Sequence, residues 1–239
     1  MQKQNFYSLT FEELKTFLIE KIGVEESKVK MRAQQLYKGI YQKGITSFTD
    51  LTTVTLELRK ELDNALSLEL PKILKTEVAG DKTIKWLLEL NDENKNLIEV
   101  VLIPSKSHNT ICVSVQVGCA MSKNSACIHC ATGTQLLVKN LSASEIVMQM
   151  MIAKRYLNDF GDQRLLSRVV LMGSGEPLTN YIATKQFIKI LMEPEGFHMG
   201  KKSITLSTIG VPDKIIQFTD EVGVHLALSI HAGTNEKRN

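Results

Sequence analysis

No run of apolar residues in this chain approaches the roughly 18 that carry a helix across a bilayer, which excludes a helical membrane protein. The opening residues, Met1 to Phe6, lack the apolar core of a secretory signal. A chain with neither feature is expected to be cytoplasmic, to have no membrane partner and to keep its thiols reduced. Cysteine is sparse: there are four, and none follows Cys130. Acidic residues are missing altogether between Glu26 and Asp50, a window that holds Lys28, Lys30, Arg32, Lys38 and Lys43. Such a cluster is either a phosphate-contacting face or the solvated side of a helix.

Bulk composition excludes less. At 43% hydrophobic and 23% charged residues the chain reads as an ordinary globular protein. Its 239 residues are long for one compact domain and short for two large ones. A net charge of +3 and a pI near 8.6 are compatible with a nucleic-acid partner, but many metabolic enzymes share them.

What is present falls into two periods. Thr10 and Glu13 form a capping-box pattern, Leu14, Phe17, Leu18 and Ile22 follow at helical spacing, and Gly23 supplies a stop. A second helix is predicted over 29–41, a third from Ser47 and a fourth near Asn64, with Pro71 as a natural boundary. Beyond it, 83–90 and 97–103 have strand composition around a polar turn and predict a hairpin. From Ile111 onward strands (111–117, 168–172, 203–207, 224–230) alternate with helices (142–159, 181–192, 212–219), the mark of parallel strands with crossover helices. The fold class is therefore α/β. A helical accessory unit spans 1–78, a β-hairpin linker 79–110 and an incomplete parallel (β/α) barrel 111–239. Four parallel strands cannot close a barrel and the last presents an unpaired edge, so the chain is expected to be a truncated one.

Three of those strands alternate apolar with small polar residues. Ile111, Val113, Val115 and Val117 oppose Cys112, Ser114 and Gln116; Ile204 and Leu206 oppose Ser203, Thr205 and Ser207; Val224, Leu226, Leu228 and Ile230 oppose His225, Ala227, Ser229 and His231. A parallel sheet covered on both faces reads as continuous apolar runs. Alternation fits a barrel with helices outside and a polar lumen, or else a half-exposed sheet.

The chemistry concentrates in Val115–Gly133, which carries Cys119, Cys127 and Cys130, with Cys112 one short strand upstream. Seven and then two residues separate these thiols. The set suits an iron–sulfur cluster with one open iron, or zinc with His129 or His108 as a fourth ligand, or it is a group of unrelated buried thiols. Gly173, Gly175 and Glu176 follow the second strand, where glycine lets backbone approach a ligand and a carboxylate accepts from an amino or hydroxyl group. Ser207 to Gly210 and Ser229 to Ala232 end the next two strands, and the C-terminal rim of a barrel is where its sites form.

Four stretches together carry a resemblance: Cys112-Val-Ser-Val-Gln-Val-Gly-Cys-Ala120, Leu171-Met-Gly-Ser-Gly-Glu-Pro-Leu-Thr-Asn180, Leu206-Ser-Thr-Ile-Gly210 and Leu226-Ala-Leu-Ser-Ile-His-Ala232. They resemble the radical S-adenosylmethionine methyltransferases that modify C2 of adenosine in large-subunit rRNA and tRNA; a sister group modifies C8. Met31 to Gly44 is similar to that family's RNA-associated accessory helices. The resemblance implies a [4Fe–4S] cluster on Cys119, Cys127 and Cys130, with its open iron binding S-adenosylmethionine. It implies that Gly175, Glu176, Ser207, Ser229 and His231, with the backbone of Ile230, line that cofactor's pocket. It makes Cys112 the thiol that resolves a covalent protein–RNA intermediate and Glu99 the base that takes the C2 proton. The implied partners are the RNA, contacted by the basic window, and an electron donor such as flavodoxin or ferredoxin; a monomer is expected.

Two departures accompany it. The family pattern has three residues between its first two cysteines where this chain has seven, as though 123–126 were inserted, and His129 replaces an aromatic. The methyl-carrying cysteine of the family belongs to a C-terminal segment with no counterpart here. These departures leave a non-methylating RNA-binding remnant, or a zinc-stabilised RNA-binding module, as alternatives.

Overall fold

The N-terminal helices begin where their caps stand. In the computed structural model, which describes residues 3–106, 108–122, 127, 130–161, 164–230, 232–234 and 236, β1 (Gln4–Asn5) and a 3-10 turn at Phe6–Ser8 lead to α1 (Phe11–Glu20). Thr10 and Glu13 make the predicted capping box, the Glu13 carboxylate accepting from the Thr10 N–H at 2.8 Å. α2 (Glu26–Tyr37) runs on into a π-helical turn over Lys38–Gln42, so the helix predicted over 29–41 ends in a wider turn. A 3-10 turn at Phe48–Asp50 precedes α3 (Leu56–Ala65), which Thr55 caps, and β2 (Leu66–Ser67) returns to pair with β1.

Lys72–Val78 is a strand, β3, that the sequence pattern does not reveal. Nearly all its residues are exposed, so no apolar period marks it. It pairs antiparallel with β4 (Ile84–Glu89), β4 with β5 (Leu97–Ile103), and β5 with β6 (Asn109–Cys112). The sheet thus starts at Lys72, inside the stretch assigned above to the helical unit, and the hairpin is the antiparallel wing of a larger sheet. After β6 come β7 (Gln116–Val117) and β8 (Lys139–Asn140), which pair with each other, then α4 (Ala143–Leu157), β9 (Leu166–Leu171), α5 (Tyr181–Met192), β10 (Ile204–Thr208), α6 (Pro212–Glu221) and β11 (His225–Leu228). The seven-stranded order is β11-β10-β9-β6-β5-β4-β3, and β6, β9, β10 and β11 run parallel. This is the expected alternation of parallel strands and crossover helices.

Register divides the sheet into two faces. Ile84, Leu102, Ile111, Val169 and Ile204 lie side by side across five strands, each at most 5% exposed. One residue along, Lys85, Val101, Cys112, Val170, Thr205 and His225 form the matching row on the opposite face. The predicted alternation is therefore real, and Cys112 stands on the open side. The strand predicted over 111–117 is interrupted after Cys112. There the Gln149 amide of α4 accepts from the Ser114 N–H and donates to the Ser114 carbonyl, both at 2.9 Å, in place of a neighbouring strand.

The apolar face is covered by α4 and α5, and α4 is buried on nearly every side because the Phe6–Ser8 turn packs on its outer surface. Phe6 has the rings of Tyr7, Tyr37, Tyr41 and Phe48 within 5.8–6.2 Å, and Tyr41 stacks on Phe197 of the α5–β10 loop at 4.6 Å. The helices and the sheet thus share one hydrophobic core. Replacing the fully buried Phe6 by alanine is expected to cost about 3–5 kcal/mol. Because the core is shared, helices and sheet should unfold in one denaturant transition, followed by circular dichroism and Trp86 fluorescence together.

Candidate metal centre

The C-terminal ends of β6, β9, β10 and β11 lead into the loops that carry the predicted site residues. Cys119, Cys127 and Cys130 wall one cavity of about 370 Å3 together with Gly175, Glu176, Ser207 and Ser229. That volume is within the range of small-molecule sites. The loop turns back on itself through Cys130 N–H to the Cys127 carbonyl (3.0 Å) and Gly133 N–H to the Cys130 carbonyl (2.9 Å). A side chain on Gly133 would meet the Cβ atoms of both Cys127 and Cys130 at 3.4 Å, so a bare backbone lets the two cysteines stand together. None of the four cysteines is in a disulfide; Cys130 is exposed and the other three are half-buried.

The thiols surround a volume instead of meeting at a point. Among the described residues no three His, Cys, Asp or Glu side chains converge closely enough to hold a single metal ion. His108 precedes β6, at the end of that strand away from the thiols, and His129 lies outside the described residues. A structural zinc site wants four ligands drawn to one centre, whereas a cluster accepts three thiolates spread around it. The donor set fits the cluster better.

Two glycines bring the next strand close. A Cβ on Gly173 would lie 2.7 Å from the Ser114 hydroxyl and the Val113 carbonyl, and Gly175 has φ +102° with Gln116 Cβ 2.5 Å from where its own would be. The contact is sealed by hydrogen bonds: Ser174 N–H donates to Ser114 Oγ at 3.0 Å, and the Val115 and Gln116 N–H groups both donate to the Ser174 carbonyl. Gln116 is fully buried. Its Oε1 accepts from the Ala120 N–H (3.1 Å) and the Glu176 N–H (2.9 Å), and its Nε2 donates to Asn140 Oδ1 (2.7 Å) and Thr179 Oγ1 (3.0 Å). Asn180 adds two more donations, to the Val115 and Leu141 carbonyls. Sequence reasoning counted Gln116 only as part of a polar face and missed Gln149 and Asn180. A glutamine between apolar β residues was the available signal.

Glu176 is 3% exposed. Its Oε1 accepts from the Leu178 N–H and its Oε2 from the Ile209 N–H, each at 3.0 Å, so the carboxylate ties the β9 rim to the β10 rim. On the next pair of strands Ser207 Oγ and Ser229 Oγ are 3.2 Å apart. Ile230 follows β11 and is 67% exposed, and His231 is outside the described residues. Cys112 is not in the cavity wall but adjoins it through the Met172 N–H, which donates to its sulfur. Glu99 is on the same open face, diagonal to Cys112, and pairs with Lys85 at 3.1 Å. Lys85 bridges on to Glu77 at 3.0 Å, and the two carboxylates raise its pKa.

The basic window is split between two sides of its helix. Lys28 pairs with Glu25 and Arg32 bonds Gln35 on one side, while Lys38 pairs with Glu195 on the other; Lys43 caps the π-helical turn. A larger cavity of about 880 Å3 lies outside the sheet between α5 and α6, but it holds no thiol and its Lys185 is bound to Glu221.

Burial pushes the Cys119 thiol above its ordinary pKa; the Met121 N–H at 3.5 Å opposes this, and charge on Cys130 and Glu176 adds to the rise. Burial likewise raises Cys112 against the Met172 N–H. Since the thiolate is the reactive form, alkylation by iodoacetamide near neutral pH is expected first at Cys130 and last at Cys112, with the Cys112 rate still climbing above the ordinary thiol range. Peptide mass spectrometry against pH measures both. Exchanging Glu176 for glutamine leaves one amide nitrogen facing a backbone N–H, and should lower stability by about 1–3 kcal/mol in a urea titration.

With this geometry in view, residues 4–68 match the family described as the ribosomal RNA large subunit methyltransferase N-terminal domain. A dual-specificity RNA methyltransferase RlmN of Rhodopseudomonas palustris (strain BisB18) is 40% identical over 228 residues, covering 91% of this chain and 56% of the relative. The RlmN of Ruegeria sp. (strain TM1040) is 38% identical over 244 residues, covering 99% and 60%. The crystal structure of a radical SAM methyltransferase from Sphaerobacter thermophilus superposes with a TM-score of 0.85 at 34% identity, over 98% of this chain and 65% of that one. The chain spans about three-fifths of the length of these curated relatives. By sequence and by fold, over the part of them that it spans, this chain is similar to the RlmN-like radical SAM methyltransferases.

Proposed function

We propose that the chain carries the cluster- and cofactor-binding part of a radical SAM RNA methyltransferase acting at C2 of adenosine in large-subunit rRNA and tRNA. The observation that supports it most is the single cavity walled by three thiols and by polar residues from the ends of three parallel strands. Cys119, Cys127 and Cys130 would hold a [4Fe–4S] cluster. Bound there with S-adenosylmethionine, the cluster would supply the electron, taken from a flavodoxin- or ferredoxin-type donor, that cleaves the cofactor to methionine and a 5′-deoxyadenosyl radical. Gly175, Ser207 and Ser229 offer backbone approach and hydroxyls to the cofactor, and Glu176 holds two of the loops that border it. The Ile230 backbone and His231 are assigned to the same cofactor.

On the open face of the sheet, Glu99 is assigned the C2 proton of the adenosine and Cys112 the resolution of a protein–RNA link. They are diagonal neighbours across β5 and β6, a spacing of about 7–8 Å between Cα atoms in such pairs. One substrate base can therefore address both. Lys28, Lys30, Arg32, Lys38 and Lys43 are assigned to the RNA backbone.

Reconstitution under anaerobic conditions decides the first half. About four iron and four sulfide per chain are expected, with the broad visible absorbance of a cluster, and serine at 119, 127 or 130 should abolish it while Cys112→Ser does not. Stoichiometric zinc without that absorbance would overturn the reading in favour of a zinc-stabilised module. With dithionite and S-adenosylmethionine the 239-residue chain is expected to release 5′-deoxyadenosine but no methyladenosine, because no cysteine after Cys130 is present to carry the methyl group.

A further inference from the structure

Polar groups that the thiol cavity leaves unused gather at the opposite end of the parallel strands. Arg164 precedes β9 and His198 precedes β10, so both stand at strand N-termini. With Lys154 from the last turn of α4 and Tyr41 and Gln42 from the π-helical turn, they wall a cleft of about 270 Å3. A smaller lobe of about 110 Å3 shares Lys154, Arg164 and His198.

The cleft is assembled rather than incidental. The Arg164 guanidinium donates to the His198 carbonyl at 3.4 Å and lies 3.2 Å from His198 Nδ1. A guanidinium has no lone pair to offer, so Nδ1 is the acceptor and the neutral imidazole keeps its proton on Nε2, as a donor. Gln42 holds the far wall by donating to the Gly196 carbonyl at 3.1 Å, while Gly161 donates to the Gln42 carbonyl at 2.9 Å.

Donors outnumber acceptors here. Lys154 is accounted for: Asp159 takes its charge at 3.1 Å, and that carboxylate also accepts from the Leu165 and Leu166 N–H groups. Arg164 is not, since no carboxylate among the described residues pairs with it. The Tyr41 hydroxyl, in a fully buried residue of the cleft wall, has no partner among the described residues. An exposed guanidinium flanked by the Lys154 ammonium and the His198 ring favours an anion with several acceptor oxygens. Lys43 follows Gln42 directly, so the cleft continues the C-terminal end of the acid-free window.

We propose that this cleft is a binding site for a phosphate group, separate from the thiol cavity and independent of any cluster. Its carrier is either an RNA backbone or a small phosphorylated compound. The test is titration of the whole 239-residue chain with inorganic phosphate at low ionic strength, by calorimetry. Saturable binding is expected, weakened at least about tenfold in Arg164→Gln. His198→Asn is the second cleft variant, because asparagine tolerates the left-handed backbone at φ +53°. Lys60→Gln, on the exposed side of α3 and outside both the cleft and the acid-free window, should leave phosphate binding unchanged. In a second arm, a single-stranded RNA oligonucleotide is titrated against salt: a slope smaller by about 0.7 in Arg164→Gln identifies RNA as the carrier. An unchanged slope with phosphate binding lost identifies a small phosphate compound. Phosphate that fails to saturate the wild-type chain, or that binds Arg164→Gln and His198→Asn equally well, overturns the proposal.

Discussion

One buried amide holds the thiol end of this molecule together. Gln116 spends both lone pairs of its oxygen and both protons of its nitrogen on four partners, which belong to three pieces of chain: the cysteine loop, β8 and the β9–α5 loop. The cysteine loop enters through Ala120, β8 through Asn140, and the β9–α5 loop through Glu176 and Thr179. A buried amide is tolerated only when it is satisfied in this way. Full satisfaction makes the network rigid, since moving any loop leaves a donor or acceptor stranded. Three thiols on a loop with few apolar anchors need such a frame to face one cavity.

The frame exists because the sheet has two different faces. Residues such as Ile111 and Val169 put their whole apolar surface under α4 and α5, which fixes the register. Register then decides the other face without further choice, and it carries Cys112, Thr205 and His225 to the open side. Glu99 and Lys85 reach the same side for the same reason. A slip of one residue in β6 would bury Cys112 and expose Ile111, so the chemistry of the open face is protected by the packing of the closed one.

Legibility in the sequence followed the range of the interactions. The capping box at Thr10, the hairpin and the parallel strands were readable because each depends on residues a few positions apart. The three thiols and the rim serines were readable because cysteine is rare here and because alternation has a period of two. β3 was not: its side chains are exposed on both faces, so it pairs through backbone and the Glu77–Lys85 ion pair and leaves no apolar signature. Gln116, Gln149 and Asn180 were not either, because most of their partners lie 24 to 65 residues away and only the closed fold brings them together. The basic window was legible as composition, yet its division between two sides of α2 depends on Glu25 and on Glu195, the latter far along the chain.

The two ends of the parallel strands carry opposite electrostatic character, and their separation matters to how both can work. At the C-terminal rim, Glu176 and three thiols wall a cavity with no Lys or Arg among its described lining residues, which disfavours a phosphate. At the N-terminal end, Arg164 and the donors around it favour one. A six-residue strand such as β9 is about 20 Å long. The Debye length at physiological salt is about 8 Å, so the field of one end is largely screened before it reaches the other. A polyanion can therefore be held at the basic end without contesting the charge of the thiol cavity.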